Sequence, residues 1–533
     1  MMEYYAYRIQ LRLNQSMVIL MSGKLFLQFI VDAAASIEQW RLNWYRMHQG
    51  TLRTELYSGL QDALDNGDTR TDQIGKIIIL PSSYTGSPRN KHQYYQDAMA
   101  ICRWAGYPDL FLTFTCNPKW PEIQYMLDEI PGQKPEDRPD VCNRVFHIKL
   151  HQLINEDIKK NKCFGRTIAV VYTIEFQKRG LLHAHILIFL HPDERDPSPS
   201  NIDNIISAEI PDKDNDLEGY MAVENFMMHG PCGEANHRSP CMIDGKCSKH
   251  FPKMFSHETT VDEEGYPIYR RRDDGRIVEK DKVNLDNRYV VPYNRDLIVK
   301  YQAHINVEWC NKSRSIKYLF KYIHKGDDKA IAKLTATDKN DEIQMYLDAR
   351  YLSAGEASWR IFGFELQHRE PSVQRLQFHL ENEQMVVFPD SSDLEKIVYR
   401  PGIEKSIFTE WMTVNRLHKD ARDLTYAEFP TKWAWHAKEK EWRPRRGGKR
   451  SIGRIYYAHP ASGDRTSLII WDEAPMTNKH CFEALDKSLR DILRSTDDKS
   501  ENKPFGGMTV AMGGLSLSKL EFDLSYYHHF QEY

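Results

Sequence analysis

Residues 167–190, TIAVVYTIEFQKRGLLHAHILIFL, constrain this chain more than any other stretch, because their apolar pattern admits two long β-strands joined by a tight turn. Val170, Val171, Ile174 and Phe176 form the outgoing strand, Lys178-Arg179-Gly180 the turn, and Leu182 to Leu190 the return. Residues two apart in a strand share a face, so His183 and His185 project together and Ala184 projects away. With a three-residue loop and Gly180 in the left-handed conformation, Glu175 pairs across from His183 and Thr173 from His185. Two imidazoles and a carboxylate then meet on one face, a donor set for a divalent ion such as Mg2+ or Mn2+. The same residues also read as a pair of half-buried hairpin histidines.

A second segment, KYLFKYIHKG from Lys317 to Gly326, has the spacing of a short helix stopped by glycine. Tyr318 and Tyr322 lie one above the other on it, with Lys317, Lys321 and Lys325 repeating at the same interval. A tyrosine pair of this kind is either a core stripe or a pair of nucleophiles. The lysine ladder suits the second reading, because a phenol with an ordinary pKa of about 10 needs cations or a base nearby to attack a phosphodiester.

A two-histidine hairpin followed by a two-tyrosine helix resembles the HUH endonucleases of rolling-circle replication initiators, in the form found in Helitron transposons. Further resembling segments are Ser87-Pro88-Arg89-Asn90, Tyr95 to Cys102 and Phe111 to Pro118, so the likeness spans most of residues 25 to 430. The resemblance implies that Thr113 to Asn117 form a strand beside the metal site. It also implies that His183 and His185 are metal ligands, and that Tyr318 and Tyr322 are the nucleophiles. Glu175 as third ligand follows from the hairpin register. Lys317, Lys321, Lys325 and, at the hairpin tip, Arg179 are DNA-binding candidates by position.

The net charge is −3, so the chain as a whole is not a basic nucleic-acid binder. Between Arg270 and Lys325, however, 14 Lys and Arg stand against 7 Asp and Glu, interleaved with Tyr289, Tyr293, Tyr301 and Trp309. Cations neutralise phosphates and aromatic faces stack on unpaired bases, which fits a single-stranded DNA track as well as a solvated face over a buried aromatic set. No run spans a bilayer, and the 9 scattered cysteines do not form a disulfide framework. One cluster of thiols and imidazoles is dense: His229, Cys232, His237, Cys241, Cys247 and His250 fall within 22 residues. It suits a structural Zn2+ held by Cys232, Cys241, Cys247 and one histidine, or else a loop of reduced cysteines.

The expected fold class is α+β: an antiparallel sheet flanked by helices, a helical N-terminal region and an incomplete α/β P-loop helicase remnant. The expected boundaries are 1–76 helical, 77–345 endonuclease with 229–250 as an insertion, 346–450 helical extension and basic linker, and 451–533 remnant. Leu52 to Leu64 reads as an amphipathic helix and Leu347 to His379 as helix-leaning. The basic run ending Glu439 to Arg450 reads as a flexible linker or a nuclear import signal, which places the protein in the nucleus of a eukaryotic host.

Near the C-terminus, Leu468 to Trp471 followed by Asp472 and Glu473 resembles the Walker B strand of petite-integration-frequency helicases, the second half of Helitron proteins. Yet no Gly-Lys in the chain is followed by Ser or Thr, so no phosphate-cradling loop is present. ATP-driven unwinding is therefore not expected, and a helicase of the host or the element becomes the implied partner. The expected activity is metal-dependent nicking of single-stranded DNA through a covalent 5′-phosphotyrosine. An ATP-dependent helicase, a water-using nuclease and a non-catalytic DNA-binding relic are the alternatives.

Overall fold

The computed structural model describes residues 1–12, 18–49, 54–56, 80–176, 181–262, 266–310, 342–347, 350–379, 384–387, 399, 402–447, 450–456, 468–471, 486, 490, 505 and 509–512. Met1–Ile455 form one compact unit and Tyr456–Tyr533 a second. Among the described residues, no helix is long and apolar enough to cross a membrane.

The centre of the first unit is a five-stranded antiparallel sheet built from β1 (Leu110–Thr115), β2 (Thr167–Phe176), β3 (Leu182–Leu190), β4 (Ile305–Trp309) and β5 (Gln367–Glu370), in the order β4-β1-β3-β2-β5. The alternation in the sequence decides which side chains go where. Leu112, Phe114, Tyr172, Ile174, Ala184 and Ile186 point to one face and are buried with Phe146 of α3 (Pro139–Gln152) and Trp359 of α4 (Ala354–Ile361). Phe111, Val171, Leu187 and Phe189 point to the other, under Ala98, Ile101 and Cys102 of α2 (Pro88–Ala105). Burying each large apolar side chain contributes about 1.5–3 kcal/mol. Helix α2 starts where Ser87 accepts a hydrogen bond from the Asn90 N–H (3.0 Å) and Pro88 occupies the first turn.

A buried charge cluster joins these layers. Asp97 of α2, fully buried, takes Arg369 of β5 (2.9 Å) and Arg454 of the strand Ser451–Tyr456 (2.9 Å). Burial pushes its carboxyl pKa up, and the two guanidiniums oppose that shift. Asp97→Ala is expected to cost about 3–5 kcal/mol, because it leaves two guanidiniums facing a hole. Chemical denaturation measures this, and a cost under about 1 kcal/mol would mean the cluster is solvated rather than buried.

On α3, the His147 ring lies parallel to that of Phe364 (3.9 Å between centroids, 9°) and close to His151 (4.3 Å). Burial, then His151, lowers its pKa to about 4. The unfolded chain therefore takes up a proton near pH 6.5 that the native state refuses, so stability is intact above about 6.5 and declines as pH falls toward about 4. The urea midpoint should drop between about pH 7 and about pH 5, and drop less in His147→Gln. An equal drop in the variant would assign the effect to other groups.

Three expectations are corrected. Gln367–Glu370 and Ser372–Gln377 are strands rather than part of a helix-leaning run. Gln367–Glu370 are strand because the edge of β2 offers them hydrogen-bond partners from Thr173 to Val170. Thr54–Leu56, read as helical, is a strand paired with Met385–Val387, while 57–79 lie outside the described residues. The basic run is not a free linker: Glu441–Pro444 pair with Trp433–His436, Trp442 is buried, and Arg445 donates to the Pro430 carbonyl (2.8 Å). Within the region read as helical lie the helices Met2–Arg8 and α1 (Lys24–Met47), and Phe26, Ile30 and Ala33 of α1 are buried with Ala357 and Ile361 of α4. In the second unit Leu468–Trp471 pairs in parallel with Thr509–Met512, the strand arrangement of an α/β sheet.

Candidate metal and nucleic-acid site

The hairpin register is the one its turn length requires: Glu175 lies opposite His183 and Thr173 opposite His185. On the other side, β1 sets Thr115 opposite His183 and Thr113 opposite His185. Helix α2 covers the apolar half of this face, and the polar half continues beyond it along the same strands. His185, 8% exposed, is held at both ring nitrogens. Its Nε2 lies 2.8 Å from Glu175 Oε2 and its Nδ1 3.3 Å from Thr113 Oγ1. With Nε2 donating to the carboxylate, Nδ1 accepts from the threonine hydroxyl. Glu175 thus reaches diagonally past its own cross-strand partner, a span within the geometry of neighbouring pairs. His183 Nδ1 lies 2.9 Å from Thr115 Oγ1, and its ring is nearly parallel to that of His185, with centroids 6.5 Å apart.

A third histidine stands at this end of the sheet. His304, just before β4, places Nδ1 3.5 Å from the same Thr115 hydroxyl, and burial above all lowers its pKa to about 4. Sequence reasoning missed it, because nothing local marks His304; the pairing of Ile305 with Phe114 brings it there.

The imidazoles of His183 and His185 and the carboxylate of Glu175 are a mixed nitrogen and oxygen donor set of the kind divalent ions take. The described arrangement is not closed around an ion. Among the described residues, the one set of three or more His, Cys, Asp or Glu whose donor atoms all lie within 4.8 Å of one another is elsewhere.

That closed set is His229, Cys232, Cys241 and Cys247. His229 is placed by its N–H donating to the Tyr289 carbonyl (2.8 Å), beside the bridge between Met228 and Val290. Cys241 precedes, and Cys247 belongs to, a hairpin in which Met242 and Ile243 pair with Cys247 and Lys246 across Asp244-Gly245. Both turn residues have positive φ (51° and 76°), as a two-residue hairpin turn demands. The Asp-Gly dipeptide was a legible hairpin signal. Cys247 Sγ and His229 Nε2 are 3.4 Å apart, close to the roughly 3.5–3.8 Å that ligands of tetrahedral zinc keep from each other. Burial raises the Cys247 thiol, but backbone N–H donors from Phe251 and Lys249 outweigh it and favour the thiolate; burial, then the neighbouring thiols, pushes Cys232 up to about 12. Of the three histidine candidates, His229 joins the set, while His237 and His250 do not.

Tyr318, Tyr322, Lys317, Lys321 and Lys325 lie outside the described residues, as do Arg179 at the hairpin tip and Asp472 and Glu473. The aromatic residues of the basic track belong to the core: Tyr293, Tyr301 and Trp309 are buried in it and Tyr289, partly buried, packs against it. The track's stacking surface is therefore smaller than its composition suggests.

Residues 4–188 match the family described as the Helitron helicase-like domain at the N-terminus, and residues 459–517 match the PIF1-like helicases. No curated protein matches the chain significantly. The first match contains β1, β2 and most of β3, with Glu175, His183 and His185, and ends before the tyrosine segment.

Proposed function

From a chain that carries a Helitron helicase-like N-terminal domain and a PIF1-like helicase segment, we propose a Helitron-type initiator that nicks and transfers single-stranded DNA through a covalent 5′-phosphotyrosine. The observation that carries the reading is the convergence of His183, His185 and Glu175 on one sheet face inside the matched domain. These three would hold Mg2+ or Mn2+, which when bound polarises the scissile phosphodiester. Thr113 and Thr115 orient the two imidazoles through their Nδ1 atoms. Tyr318 or Tyr322 attacks phosphorus; the new bond is tyrosine oxygen to phosphorus, the broken one phosphorus to the 3′ oxygen, which leaves as a hydroxyl. The phosphotyrosine conserves bond energy, so the second tyrosine can repeat the transfer without ATP. Lys317, Lys321 and Lys325, with Arg179, neutralise the phosphates around it.

The C-terminal segment is read as a remnant that hydrolyses no ATP. It retains the acidic pair Asp472 and Glu473, but no GxxxxGK[ST] loop precedes them to bind nucleotide phosphates. A separate helicase then supplies strand opening, and structural Zn2+ at the Cys/His cluster completes the cofactor set. In a eukaryotic host the site of action is the nucleus.

The test incubates the protein with end-labelled single-stranded DNA and Mn2+ and resolves the products on a denaturing gel. A protein–DNA adduct that the Tyr318→Phe, Tyr322→Phe double variant lacks supports the proposal. Cleavage with no adduct would replace it by a water-using nuclease, and binding alone by a relic.

A further inference from the structure

The turn that leads into β4 is fastened to the strand end that carries Thr115. The helix Arg295–Tyr301 stops where Gln302 turns left-handed (φ 45°, ψ 56°), a conformation that costs a non-glycine residue about 1–2 kcal/mol. Three hydrogen bonds hold the chain there. The Tyr301 carbonyl accepts from the Trp120 indole (2.6 Å), the Gln302 carbonyl from the Asn117 side chain (2.6 Å), and the His304 carbonyl from the Thr115 N–H (3.0 Å). Ile305 then pairs with Phe114, so the backbone itself fixes His304 beside Thr115.

That placement sets two imidazoles against one hydroxyl. Thr115 Oγ1 lies 2.9 Å from His183 Nδ1 and 3.5 Å from His304 Nδ1. A threonine hydroxyl has one proton to donate and lone pairs with which to accept, so it satisfies both nitrogens only by accepting from one and donating to the other. Burial above all keeps the His304 ring neutral at ordinary pH, so its Nδ1 can accept while Nε2 carries the proton. With the hydroxyl proton directed at His304, His183 bears its own proton on Nδ1 and presents Nε2 as a lone pair, the tautomer in which a histidine ligates an ion. With the hydroxyl proton directed at His183, the proton of that ring sits on Nε2, where it excludes an ion.

We infer that His304 is a positioning residue for the hairpin site: by accepting the Thr115 hydroxyl proton it holds His183 in the tautomer whose Nε2 takes a divalent ion. The inference deepens the nicking proposal and rests on it for His183 as a ligand. His304 acts through Thr115 and is not counted among the ligands.

The experiment titrates Mn2+ into the full chain without DNA and reads free Mn2+ by electron paramagnetic resonance, so no turnover enters the measurement. His183→Ala marks the binding step that belongs to the hairpin. His304→Phe and His304→Leu, which offer no acceptor, should weaken that step by about 10–100-fold. The two differ in size, so that misfolding of one, seen in its melting curve, leaves the other to decide. His304→Asn should bind like wild type, because its Oδ1 takes nearly the place of Nδ1, a rescue that filling space would not give. Added to Thr115→Val, His304→Phe or His304→Leu should weaken binding no further, since the link to His183 is already cut. Wild-type affinity in the apolar variants, equal loss in all three, or a further loss on top of Thr115→Val would overturn the inference. Wild-type affinity in His183→Ala would remove His183 as a ligand and the inference with it, whereas loss in His183→Ala alone removes only the role of His304. Nicking is read separately by the adduct assay and can fail while the affinity pattern stands.

Discussion

His185→Ala is expected to slow covalent adduct formation by about a thousandfold or more, because a lost ligand forfeits several kcal/mol of charge stabilisation at the phosphate. The side chain is almost fully buried between Thr113 and Glu175, so its removal also leaves Glu175 without its 2.8 Å partner. A control separates chemistry from folding. Thr115→Val removes the hydroxyl that orients His183 but keeps its volume, and should lower the rate by only about 10–100-fold. The Tyr318→Phe, Tyr322→Phe pair should lose the adduct altogether while still binding DNA, since each change removes one oxygen. Equal rates in wild type and His185→Ala, measured by the same gel assay, would remove the hairpin from the reaction.

Purified protein should contain about one zinc ion per chain by atomic spectroscopy, and Cys247→Ser should lose it. His237→Ala and His250→Ala should keep it, because only His229 brings its nitrogen to the three sulfurs. At a thousand times its dissociation constant, zinc would stabilise the fold by about 4 kcal/mol, which a chelator should abolish. Proteolysis after chelation should begin within 229–250, since this loop is closed by short two-residue strand pairs and few buried apolar side chains. Zinc content unchanged in Cys247→Ser would sink the assignment.

The hairpin was readable in advance because a β-strand's period of two and a three-residue turn leave one register, and that register alone brings Glu175 and Thr173 to the two histidines. The three cysteine ligand candidates were readable from density. The histidine of the cluster was not: His229, His237 and His250 are similar in spacing, and His229 joins the three thiols because Val290 and Tyr289, farther along the chain, pair with Met228 and His229. Gln367–Glu370 carry no strong strand preference, and the open edge of β2 makes them a strand. His304 carries no local mark at all.

The sequence by itself thus determined the antiparallel hairpin, the face on which its histidines and carboxylate meet, the three thiols of the Cys/His cluster, and the lack of a phosphate loop. Each depends on residue type and on spacings of a few residues, which backbone geometry converts directly into position. Only the tertiary structure decided which histidine joins the three thiols, that Gln367–Glu370 add the edge strand beside the hairpin, and that His304 comes to the Thr115 end of the sheet. Those outcomes arise from packing between segments from about 60 to nearly 200 residues apart, where burial and hydrogen-bond satisfaction, not local preference, select the partner.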